Sequence, residues 1–205
     1  LDKETKIELF KNTKAMMMHK IGTVVVNSTD NIVLSSFVGL TAVGLYSNYY
    51  LVIYALTLIT DQLYNSVKSS IGNLYAIEDS NKSYDIFKKL DFLTFWISAC
   101  CTCCMISLYN PFITIWVGEQ YLFSMDIVIA IVINFYLKLM RKSILSFREA
   151  AGLFYRDRWK PILESVVNLV VSIVLAKKIG TLGVFIGTIV SYVFICIWVE
   201  VYVLY

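Results

Sequence analysis

Histidine is nearly absent from this chain of 205 residues, which carries one, and proline occurs only twice. One imidazole leaves little for acyl transfer or metal chemistry. There is also no Asp-x-Asp pair, no Gly-rich phosphate loop, no His-Glu-x-x-His and no Gly-x-Ser-x-Gly. No enzyme and no cofactor is expected. Charge is scarce too: Asp, Glu, Lys and Arg make up 16% of residues, against about 25% in soluble domains. No soluble basic surface remains once the apolar runs are set aside, which argues against a nucleic-acid partner. The chain opens at Leu1 without the basic, apolar and small-residue succession of a signal peptide. It is expected to be a fragment with an N-terminal part missing.

What the chain has is apolar residues, 58% of the total, in long runs, with a mean hydropathy of +0.69. A helix spanning the hydrocarbon needs about 20 mostly apolar residues. Six stretches qualify, near 14–37, 43–72, 88–110, 123–147, 161–178 and 182–204. The fold class expected is therefore all-α: a polytopic membrane bundle of six transmembrane helices over 14–205, preceded by a cytoplasmic segment at 1–13. Gly39 and Gly44 permit a tight reversal between the first two helices. Polar connections are expected after Gly72 and from Asn110-Pro111 to Gln120. Pro161 suits a helix start and Gly180 a helix end. Sixteen of the 18 Lys and Arg side chains fall on one side of this topology; only Lys177 and Lys178 fall on the other. The positive-inside rule then puts both chain ends in the cytoplasm and the protein in the cytoplasmic membrane.

Five cysteines are present, four of them in the run Cys100-Cys101-Thr102-Cys103-Cys104. No His, Asp or Glu lies near that run, so it is read as small apolar residues in a buried helix. Gly183, Gly187 and Ser191 repeat every four residues, the small-xxx-small pattern of close helix contact. Trp96, Trp116, Trp159 and Trp198 suit interfacial anchoring.

Polar residues sit at helical spacing inside the apolar runs. His19, Thr23, Asn27, Asn31 and Ser35 form one stripe, with Asp30 beside it. Ser47, Tyr50, Tyr54, Thr57, Asp61, Tyr64 and Lys68 form another, and Glu164, Asn168 and Ser172 a third. Spacings of three and four share a helix face, so these stripes suggest a wet interior. In the fourth helix Asn134, Lys138, Arg141 and Arg148 share a face, and Lys138 lies about 21 Å from the helix start. A charge at that depth needs water or a counter-ion. Lys138 and Arg141 either face a substrate, or snorkel, or pair with Asp61 or Glu164. Asp30 stands about 10 Å from the opposite end by the same rise and is either an ion-coupling group or a structural hydrogen bonder. Glu200 and His19 are placed at the cytoplasmic interface, without a ligand role.

Several runs resemble a known family. Ser28-Thr29-Asp30-Asn31, then Gly39-Leu40 and VGLYSNYYLV, look like the start of the second half of Wzx-type polysaccharide repeat-unit flippases. PFITIWVGEQYLF and FREAAGLFYRDRWKPILESVVNLVVSIVLAKKIGTLGVFIGTIVSY are similar to later parts of the same proteins. The resemblance implies the multidrug/oligosaccharidyl-lipid/polysaccharide (MOP) exporter fold, with this chain the second half of a twelve- to fourteen-helix transporter. It implies a bacterial location and a cargo of undecaprenyl-diphosphate-linked oligosaccharide, moved by alternating access with H⁺ or Na⁺ antiport. Membrane lipids, the transporter's N-terminal half, and the polymerase and glycosyltransferases of the pathway are the implied partners. Cargo would be met by Lys138, Arg141, Asn134, Tyr50 and Tyr54, and the ion by Asp30 and Asn31; Asp61, Glu164 and Arg148 are further candidates. A non-transporting scaffold of a polysaccharide-assembly complex, or an exporter of another lipid-linked precursor or drug, are the alternatives.

Overall fold

Leu, Ile, Val and Phe in runs too long for soluble helices leave the backbone only one way to satisfy its polar groups in lipid, which is to bond within each segment. The computed structural model describes residues 3–77 and 80–204, and among them 93% of the chain is helical with no strand. Helix α1 is Lys3–Val33 and runs into a π-helical turn, Leu34–Val38. Gly39, at φ 125°, turns the chain into α2, Leu40–Ile77. Helix α3 is Ser80–Trp116, α4 Met125–Ala150 and α5 Lys160–Ile179. Helix α6, Thr181–Ser191, continues through a second π-helical turn, Tyr192–Cys196, into α7, Ile197–Leu204. Short 3₁₀ turns, Glu119–Tyr121 and Leu153–Tyr155, complete the connections.

Among the described residues four stretches are long and apolar enough to cross a membrane: Thr5–Val38, Leu40–Leu74, Asn81–Trp116 and Thr181–Glu200. The fourth and fifth expected spans, α4 and α5, fall outside that set because their charges dilute the apolar run. Some of those charges are turned inward, with Arg148, Lys160 and Glu164 buried, while Asp126, Lys177 and Lys178 at the opposite ends of the two helices are exposed. Helix α4 is the axis of the bundle, packing against α2, α3, α6 and α7. Val128, Ile131, Val132, Phe135 and Leu139 give it a buried face against Tyr49, Tyr109, Val184 and Phe185.

The glycine repeat of α6 does what its spacing suggests. A Cβ at Gly187 would stand 2.2 Å from Ser172 Oγ, and one at Gly183 would stand 2.3 Å from the Leu175 backbone. Helices α5 and α6 therefore touch backbone to backbone, and any larger residue would part them. Pro161 and Gly180 bound α5 as expected, with Gly180 at φ 63°.

Four boundaries differ from expectation. Residues 3–13 are not a separate segment but the first turns of α1. The polar stretch after Gly72 is helical on both sides, so α2 and α3 project past the apolar zone; Glu78 and Asp79 lie outside the described residues. Gly44 sits inside α2 rather than in a turn. Helix α3 passes through Pro111 to Trp116. Beside that proline, Tyr49 Oη donates to Asn110 Oδ1 at 2.7 Å, and Asn110 Nδ2 donates to the Phe123 carbonyl at 3.3 Å. The cysteine run also differs, with Cys100, Cys103 and Cys104 exposed on the outer face of α3 rather than buried.

Candidate functional site

Cations inside an apolar bundle must either reach water or find carboxylates, and the three on the middle of α4 do different things. Lys142 pairs with Asp61 of α2 and donates to Thr60 Oγ1 at 3.1 Å. Arg141 is held by Glu200 of α7, with Nε 2.9 Å and Nη2 2.7 Å from Oε1. Its third nitrogen, Nη1, lies 3.5 Å from Glu164 Oε1 on α5, an ion pair beyond close hydrogen-bond length. Lys138 has a single neutral partner, Asn27 Oδ1 at 3.4 Å. Of the three it is the cation least committed to the protein.

A cavity of about 410 Å³ opens beside them at the basic end. Lys20 and Asn27 of α1, Lys138 and Arg141 of α4, and Lys160 and Glu164 of α5 are among its walls. Glu200 is wholly shielded and stands behind Arg141 and Lys160, accepting from both. The mouth is fixed by Asp157 in the turn between α4 and α5. Arg148 Nη1 donates to its Oδ2 at 2.6 Å, and His19 Nε2 of α1 lies 2.9 Å from its Oδ1. Burial alone would disfavour that carboxylate's charge, but the His19 hydrogen bond and the Arg148 charge outweigh it and hold Asp157 below the usual aspartate range.

Deeper in, a small cavity of about 60 Å³ joins Asp30, Tyr50, Asn134, Lys138 and Thr188. Here the polar groups form a chain across three helices. Asn168 Nδ2 of α5 donates to Thr188 Oγ1 at 2.9 Å, and that hydroxyl donates to Asp30 Oδ1 of α1 at 2.9 Å. Asn134 Nδ2 donates to the Phe185 carbonyl at 3.0 Å. The amide oxygens of Asn134 and Asn168 are buried without a partner. Buried amide oxygens without donors are uncommon in folded proteins and call for an explanation. Two of them near a carboxylate suit a hard cation or an ordered water.

The structure thus brings Lys138, Asn134, Asp30 and Tyr50 to one place. Tyr54 stacks on Tyr50 at a centroid distance of 6.2 Å on the exposed face of α2. Asn31 is exposed and does not line that cavity. Asp61 serves Lys142, Arg148 serves Asp157, and Arg141 is shared between Glu200 and Glu164. Glu200, expected at the interface, is instead fully buried behind Arg141 and Lys160, while His19 bonds Asp157 of the α4–α5 turn. Thr188, Lys160 and Asp157 were not singled out by the sequence. The only signal for Thr188 was its place one residue beyond Gly187 in the small-residue repeat.

No protein-family model matches the chain, and no curated protein sequence does. Solved structures do. A MOP superfamily transporter from Pyrococcus furiosus, described as having a binding pocket of reverse polarity that suggests a different function, aligns with a TM-score of 0.74 at 16% identity. The match covers 95% of this chain and 44% of that one. A multidrug resistance MATE family transporter of the same superfamily, in an outward-facing conformation, aligns at 0.75 and 17% identity over 96% of this chain and 43% of its own. The chain spans less than half the length of the transporters it matches, and over that length it has the helical-bundle fold of the MOP superfamily.

Proposed function

We propose that the chain forms one bundle of a membrane exporter that moves an undecaprenyl-diphosphate-linked oligosaccharide across a bacterial cytoplasmic membrane, working against a second bundle of similar size. The observation that carries this reading is the cation-lined cavity of about 410 Å³, where Lys138 has no carboxylate partner among the described residues. A diphosphate can accept charge-assisted hydrogen bonds from Lys138, Lys20 and the cavity edge of Arg141. Such bonds count for more where protein excludes water. A cationic drug would meet repulsion at the same surface. The exposed stripe of α1 and α2, with Asn27, Asn31, Tyr50 and Tyr54, is the face the second bundle and the sugars would share.

Ion coupling is assigned to Asp30. A proton or Na⁺ entering the Asp30–Thr188–Asn168 chain changes the charge facing Lys138, and with it the hold on the cargo. Asn31 is exposed and is left out of this assignment. The test is translocation of a fluorescent isoprenyl-diphosphate sugar by vesicles holding the complete transporter. Lys138→Gln should slow it and weaken cargo binding, whereas Asp30→Asn should hold cargo binding at one value whatever the ion gradient and abolish the gradient dependence of transport. Wild-type rates in both variants would contradict the assignment.

A further inference from the structure

Arg141 has two carboxylate partners in different settings, and the difference assigns them opposite roles. Glu200 is wholly shielded, accepts from Nε and Nη2 of Arg141 at 2.9 and 2.7 Å, and also takes Lys160. It lies outside the cavity wall and fixes the guanidinium from behind. Glu164 is on the cavity wall, retains 10% side-chain exposure, and approaches only the remaining nitrogen, at 3.5 Å. A bidentate grip at close range is hard to displace; a single contact at 3.5 Å beside a water-accessible cavity is not.

We propose that Glu164 is a place-holder anion, the group that an anionic ligand displaces from Arg141, while Glu200 keeps Arg141 and Lys160 aimed into the cavity. This rests on the cargo reading above and adds what sets its selectivity. A carboxylate already in place repels any anion too weak to take its position. A diphosphate, with several charged oxygens, can meet Arg141 and Lys138 together, whereas a monovalent anion meets one at a time.

The prediction runs against the usual loss on mutating a site residue. Farnesyl diphosphate and inorganic pyrophosphate are titrated into the full chain in nanodiscs of zwitterionic lipid. Glu164→Gln should bind farnesyl diphosphate about tenfold more tightly than wild type, the scale of one charge-assisted hydrogen bond no longer opposed. Glu200→Gln should show no gain, and Glu149→Gln, at the edge of the same cavity, little change. An equal gain for pyrophosphate assigns the effect to the phosphates alone; a gain confined to farnesyl diphosphate assigns it to the lipid-linked ligand; both support the proposal. If Glu164→Gln does not fold, Glu164→Ala removes the carboxylate with its volume and gives the same readout. Wild-type binding with no gain in either Glu164 variant overturns the place-holder role alone, as does an equal gain in Glu149→Gln, which would mark a bulk charge effect. Failure of every variant and the wild type to bind either phosphate overturns the cargo reading beneath it.

Discussion

Replacing Glu200 by Gln tests whether the buried ion cluster holds α4, α5 and α7 together. The change keeps the shape and removes one negative charge between Arg141 and Lys160, whose side chains are only 12% and 3% exposed. Two cations are then left in protein interior with Glu164 as the remaining carboxylate, 3.5 Å from Arg141. Breaking a buried pair by removing one partner costs about 3–5 kcal/mol. Gln still offers a carbonyl to one of the two cations, so a loss near the lower figure, about 3 kcal/mol, is expected. Reversible unfolding in mixed micelles, followed by circular dichroism, reads that loss directly. Glu149→Gln is the control: its partner Lys68 is 48% exposed, and a surface pair is worth about 0–1 kcal/mol. The combined change of Arg141, Lys160, Glu164 and Glu200 to Leu removes all four charges and should recover most of the stability. A loss in Glu200→Gln no larger than in Glu149→Gln would refute the claim that this cluster is a structural anchor.

Other outcomes follow from the same geometry. Gly187→Val should part α5 from α6 and cost about 1–3 kcal/mol or more, whereas Gly44→Ala, with nothing within 4 Å of the new methyl, should be silent. Comparing melts checks both. Because the native state depresses the Asp157 carboxyl, its contribution is fully present above the unfolded aspartate's 3.8 and fades as pH falls below it. The melting gap between wild type and Asp157→Asn should therefore be open at pH 6 and close under more acid conditions. In a background without native cysteines, a cysteine at Glu119 should label from outside the cell and one at Asn81 should not; the reverse pattern would invert the topology.

Much of this bundle was legible in the sequence because lipid enforces a simple rule on apolar runs. The Pro161 and Gly180 boundaries of α5 and the glycine contact of α6 follow from local chemistry, and the structure has them. Helix ends set by distant partners were not legible. Pro111 reads as a break, yet α3 runs through it to Trp116. Pairings were harder still, since spacing reveals a shared face and not what lies opposite. Asn134, Lys138, Arg141 and Arg148 share a face of α4, yet each meets a different helix or turn. Glu200 read as interfacial because it lies five residues from the C-terminus, but the π-helical turn at Tyr192–Cys196 carries it inward to Arg141. Asp30 and Thr188 are 158 residues apart, a contact that no periodicity could announce.

The most direct test of the cargo claim is native mass spectrometry of the chain extracted from its own membranes with its lipids in place. A bound polyprenyl-diphosphate saccharide, retained by wild type and lost from Lys138→Gln, is the expected result. Ordinary phospholipids alone, held equally by both forms, would contradict it.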